Sequence, residues 1–164
     1  MKTIFFNFPV NTPKIAFTHS DKTVKQLKGL GVIDKDAAWV EYPLIDENSS
    51  REELSLIGMP DYLKFDDEDN PTAVVFDMEL IELYILSLVR TQRSMAFDYL
   101  DNIQMRAMVR GRQSVVDAVE ADKEILRNMP DEIDLSDATD YWTAYESVPN
   151  YLIDFQEKYR ADLA

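Results

Sequence analysis

The densest set of hard oxygen ligands in this chain is the run Asp66-Asp67-Glu68-Asp69. A calcium loop alternates its ligands, turns sharply on a glycine and closes with a distant bidentate glutamate. Here the acids are contiguous and no such glycine follows, so the pattern predicts a solvated hairpin tip. His19 is the single histidine. A histidine metal site or a nucleophile–histidine–acid relay needs companions that the sequence does not place. With Ser20 and Asp21 beside it, His19 reads as part of a turn. Glycines at 29, 31, 58 and 111 match neither nucleotide-binding fingerprint. Carboxylate pairs are expected by number alone among 31 acids, and none is singled out for glycosidase-type chemistry. The reading is therefore non-enzymatic: no catalytic, cofactor-binding or metal-binding residue is assigned.

The remaining composition narrows the class. At 164 residues and 46% hydrophobic, the chain can bury a core in one domain, or in a small domain with a helical appendage. It has no cysteine, which rules out disulfide stapling, thiol catalysis and cysteine-based zinc sites. The opening MKTIFFNFPVNTPK is too short and wrongly flanked for a signal segment. The apolar run near Leu80–Val89 is broken by acids and too short to span a bilayer. A soluble, unexported product is expected. Net charge is −14, against duplex nucleic acid as main partner, since phosphate binding needs cations. Residues 1–82 carry 16 acids and 8 bases, residues 83–128 carry 6 and 7, and residues 129–164 carry 9 and 2. A nearly neutral helical middle thus lies between acidic flanks.

The elements follow from local signals. Thr3–Phe8, Lys14–Thr18 and Trp39–Tyr42 are β-branched and aromatic, and read as short strands. The first two are joined by a turn over Pro9–Pro13. Asp21 is expected to cap a helix over Lys22–Leu27, ended by Gly29 and Gly31. Ser50 and Glu53 fit a capping box opening a short helix to about Ile57. Tyr62–Phe65 and Ala73–Phe76 flank the acidic run as a hairpin. From Asp77, a plausible cap, the period becomes helical. Met78, Ile81, Ile85, Leu88, Met95 and Tyr99 share one face, and the helix runs to Val109 with Gly111 as the break. A second helix sets Val115, Val116, Val119, Ile125 and Leu126 against Asp117, Glu120, Asp122, Lys123 and Glu124, and ends at Met129-Pro130. Ser136 is expected to cap Asp137–Tyr145, and Pro149 to open a last helix through Lys158. The fold class is α+β, in three segments: a small strand-rich unit over residues 1–76, a helical hairpin over 77–130 and an acidic aromatic helical tail over 131–164.

With no chemistry assigned, the hairpin and tail read as a surface. Met95, Tyr99, Met105 and Met108 offer adaptable apolar contacts, Arg106 and Arg110 stand near the hairpin tip, and Trp142, Tyr145, Tyr151 and Phe155 are anchor candidates. The arginines equally suit a helix C-terminus and ion pairs to the acidic flanks. The aromatics equally suit packing of the tail onto the body.

Three stretches resemble small proteins of the tail modules of tailed bacteriophages, among them tail and tail-fibre assembly chaperones. They are a strand followed by IAFTHSD and LGVIDKDAAWVEYPLID, the paired helices LDNIQMRAMVRGR and VEADKEILRNMP, and the ending DEIDLSDATDYWTAY. The segment Asp61–Phe76 and the helix after Pro149 lie outside that pattern. The resemblance implies a protein that binds a tail or tail-fibre polypeptide, either as an assembly chaperone or as a structural or attachment component of the virion. The residues, charge and hydropathy read above give no cofactor, no nucleic acid and no membrane as partners; the resemblance places the protein in the host cytoplasm during assembly or in the virion tail, and leaves a homo-oligomer open. The competing class is an acidic inhibitor of a host nucleic-acid enzyme, a DNA mimic. The charge-balanced central helices count against it.

Overall fold

Alternation along KTIFFN and AWVEYP assigns successive side chains to opposite faces of one sheet. In the computed structural model, which describes residues 2–7, 12–18, 22–67 and 69–162, these segments are β1 (Lys2–Asn7) and β3 (Ala38–Pro43). They flank one another antiparallel, with β2 (Lys14–Thr18) on the other side of β1, so the order is β2-β1-β3. Phe5 stands opposite both Ile15 and Val40. His19, Asp21 and most of the expected Pro9–Pro13 turn lie outside the described residues.

Two clusters use the two faces. Phe5 and Val40 join Ile45, Leu56, Leu63, Phe65 and Val74 on one side, and Ile4 joins Val24, Leu27, Ile33 and Ala37 on the other. The Thr3 hydroxyl, fully buried, accepts the Ile45 N–H at 3.2 Å. Helix α1 (Val24–Gly29) starts two residues later than Asp21 would place it. Thr23 is its cap, in a reciprocal box with Gln26. Thr23 has a Gln three residues on, which supplies the reciprocal half of the box, whereas Asp21 has Val24 there. The helix ends in a Schellman turn: Gly31, at φ +71°, donates to the Lys28 carbonyl and Val32 to that of Leu27.

Helix α2 (Arg51–Gly58) has the expected capping box, with Ser50 accepting the Glu53 N–H at 3.2 Å and Glu53 accepting that of Ser50 at 2.9 Å. The hairpin of β4 (Leu63–Phe65) and β5 (Val74–Phe76) follows. Tyr42 reaches it from β3, its hydroxyl accepting the Val74 N–H at 2.9 Å while its ring meets Phe5 edge-on at 5.5 Å.

Helix α3 (Met78–Val109) has its first turn capped by the Asp77 carboxylate, which accepts the Glu79 N–H. Its buried stripe is Ile81, Ile85, Val89, Ala96, Leu100, Ile103 and Ala107. Met95 is 54% exposed, not a member of that stripe as its spacing from Leu88 suggests, because Ala96 holds the inward place. The helix ends in a second Schellman turn on Gly111 at φ +66°, with Arg112 donating to the Ala107 carbonyl.

Helix α4 (Gln113–Glu132) buries Val119, Asp122, Lys123, Leu126 and Met129, while Ile125 is 40% exposed. The expected polar and apolar assignments of Asp122, Lys123 and Ile125 are thus reversed. The helix also continues past Pro130, which sits in its last turn. There a proline forfeits one hydrogen bond, and the ladder is ending anyway. Helix α5 (Tyr141–Glu146) is shorter than expected and is capped by Asp140, not Ser136. The Asp140 carboxylate accepts both the Trp142 and Thr143 N–H groups, and the Thr143 hydroxyl closes the box. Helix α6 (Tyr151–Lys158) follows Pro149 as anticipated. By packing, the chain divides into two units, Met1–Ile81 and Glu82–Ala164. The expectation of an α+β architecture is met.

Candidate partner-binding surface

In the helical unit, the outer face of α3 decides what a partner could touch. Met105, Met108 and Val109 recur at three- and four-residue spacing, so they share one side of the last turns, opposite Ile103 and Ala107. They are 66%, 66% and 84% exposed. Arg106 and Arg110 are exposed in the same turns. Met95 lies about 15 Å back along the helix.

The arginines at the tip serve the fold as well. Arg112 forms an ion pair with Asp162 at 2.6 Å, and Arg110 donates to the Asp162 carbonyl at 3.5 Å. Tyr99 is half-buried, and its hydroxyl has no hydrogen-bond partner among the described residues. Burial, reinforced by the charge of Asp162, raises its pKa. Tyr99 is thus wedged into the unit beside the chain's last described turn, not displayed.

The late aromatics separate into two groups. Tyr141, Trp142 and Tyr145 form a cluster with Tyr84, the rings of Tyr141 and Trp142 meeting edge-on at 4.9 Å. Trp142 is half-buried and Tyr145 is 39% exposed, so this group retains an outer side. Tyr151 stacks on Phe155 at 5.9 Å, and Phe155 is buried. Phe155 is a core residue, not an anchor, and Tyr151 beside it is half-buried against α3 and α4 residues such as Gln92 and Met129. Burial, with Glu132 nearby, raises the Tyr151 pKa.

Sequence reasoning missed two polar networks that hold this surface in place. The Asp122 carboxylate, 4% exposed, accepts two bonds from Lys158 at 2.7 Å and one from the Tyr159 hydroxyl at 2.6 Å. Burial and the Asp122 carboxylate push the Tyr159 phenol well above its ordinary range. One residue further along the helix, Lys123 ion-pairs with Asp101 at 2.6 Å and donates to Gln104. Spacing could have flagged both residues: each falls three or four positions from Val119 and Leu126, on the apolar stripe.

The acidic tip between β4 and β5 is organised by Asp66. Its carboxylate accepts the backbone N–H of Asp67, Thr72 and Ala73 and the Thr72 hydroxyl. Those bonds, the hydroxyl first, lower its pKa to about 2. The sign follows from the depressed value: the contribution is complete above the unfolded pKa near 4 and is lost as pH falls through about 2. An NMR titration should therefore show the Thr72 and Ala73 amides moving together near pH 2, and a midpoint near 4 would count against this arrangement. Among the described residues, no group of three or more histidine, cysteine or acidic side chains is placed to hold a metal ion. No described helix is long and apolar enough to cross a membrane.

No protein-family model, curated protein or solved structure matches the chain.

Proposed function

We propose that the chain is a non-enzymatic binding protein of a bacteriophage tail module that engages a tail or tail-fibre polypeptide through the end of α3. The observation carrying this reading is the exposed apolar turn of Met105, Met108 and Val109. The two methionines, flexible and polarizable, suit a partner surface that must adapt. Arg106 and Arg110 at its border would add charge-assisted contacts to an acidic or carbonyl-rich partner. The outer rings of Trp142 and Tyr145 form a second contact zone. The phage assignment rests on the resemblance of the three stretches named above.

Truncation at Pro130 is a poor test, because it strips Ala144, Phe155 and Tyr159 from the core of the helical unit. Surface substitution is cleaner. Co-expression with each tail and tail-fibre polypeptide of the parent phage should retrieve one of them as a stoichiometric complex. The double variant Met105→Asp, Met108→Asp should weaken that complex by about thirtyfold or more, the loss typical of central contacts. Its melting temperature should match the parent's, since both side chains face solvent. Undiminished binding by the double variant would place the interface elsewhere.

A further inference from the structure

The strand-rich unit has an unused sheet edge. β3 is terminal in the order β2-β1-β3, so one side of its backbone pairs with β1 and the other with no described strand. Beside that edge runs a groove of about 830 Å³, floored by Asp36–Glu41 and walled by Asp69–Thr72 of the acidic tip. Trp39 lines it and is 41% exposed. Its ionisable lining residues among those described are all acids: Asp36, Glu41 and Asp69. Glu41 is neutralised by an ion pair with Lys2, while Asp36 and Asp69 have no ion pair among the described residues.

We propose that this groove takes a basic extended segment of a partner polypeptide, added to β3 as a fourth strand. Main-chain groups along the free edge supply hydrogen bonds that are indifferent to sequence. Selectivity then comes from the walls. Alternate side chains of an added strand point to one face, so lysines or arginines at every second position can address Asp36 and Asp69. Trp39 offers a ring face to the same cations. A second copy of this chain is disfavoured as occupant, because pairing edge to edge would set Asp36 and Asp69 against like charges in a molecule of net charge −14. The Asp66-centred hydrogen bonds hold the far wall in shape without a ligand.

The test uses the full isotope-labelled chain and two synthetic peptides, one alternating Lys with Val and the other alternating Glu with Val. Binding of the Lys peptide is expected, with amide shifts confined to residues 36–41 and 69–72 and slowed exchange at amides of β3. The Glu peptide should not bind. The variant Asp36→Lys, Asp69→Lys should lose about tenfold in affinity for the Lys peptide, and added salt should reduce the difference. Both positions are exposed, and an unchanged amide spectrum elsewhere verifies the fold. The proposal is overturned by absence of binding, by equal binding of both peptides, by shifts that map away from β3, or by affinity indifferent to the charge reversal. Self-association through β3, read by light scattering and abolished by substitution in the groove, would assign the edge to a second copy and overturn it equally.

Discussion

Asp122→Ala should cost the helical unit about 3 kcal/mol, measured by urea denaturation. The substitution removes the acceptor of the buried Tyr159 hydroxyl, and an unsatisfied buried donor alone costs about 1–3 kcal/mol. It also frees Lys158, but that side chain is half exposed and water will take over much of its solvation, so the ion pair adds little. Tyr159→Phe should be milder, about 1 kcal/mol, because Asp122 keeps both bonds from Lys158. The ordering of the two variants is the sharp part. Equal losses would mean that orphaning the hydroxyl costs no more than removing it. Alkali tests the same contact in the wild type. Tyr159 has a raised pKa, as do Tyr99 and Tyr151, so their neutral forms are favoured by folding. The contribution is complete below the unfolded value near pH 10 and is lost as pH rises through the folded values. Stability should therefore fall at pH above about 10, and less steeply in Tyr159→Phe.

Phe5→Ala should cost the strand-rich unit about 3–5 kcal/mol, the range for emptying a buried aromatic site. Phe5 is wholly buried, faces Ile15 and Val40 across the sheet, and meets the Tyr42 ring edge-on. The loss should reach beyond the cavity. Tyr42 holds Val74 through its hydroxyl, so a ring that repacks also loosens the start of β5. Amide exchange at Val74 is the readout: it should accelerate more than exchange in α1, on the opposite face. A uniform acceleration would show that the two faces do not respond separately.

What the sequence made legible was local. The Ser50–Glu53 box, the strand Lys14–Thr18, the Gly111 break and the last helix through Lys158 each depend on residues within one turn of one another. The misplaced features depend on choices between equally good local signals or on distant packing. Asp21, Thr23, Ser136 and Asp140 are all competent caps taken singly, and the boxes completed by Gln26 and Thr143 mark Thr23 and Asp140 as the ones used. Ala96 and Ala107 belong to the α3 stripe, but alanine carries too little hydrophobic signal to outweigh Met95. Asp122 and Lys123 look like solvent-facing charges until their partners arrive from residues 101, 104, 158 and 159. Of the surface residues, the tip methionines were readable from period alone. The burial of Phe155 and the half-burial of Tyr151 were not, because an aromatic has the same signature as an anchor and as a wedge.

Among the described residues, the Lys123 ammonium finds oxygen partners on α3 at one place, Asp101 and Gln104. Sliding α4 by a single turn, about 5.4 Å, would withdraw the cation from both. The pair therefore works as a key that admits one alignment of the two helices, a role for which a polar group at an apolar seam is well suited. Lys123→Met should leave stability equal or higher while broadening the side-chain resonances of Leu126 and Ile103, as neighbouring alignments become accessible. Sharp resonances in that variant would show that shape alone fixes the alignment.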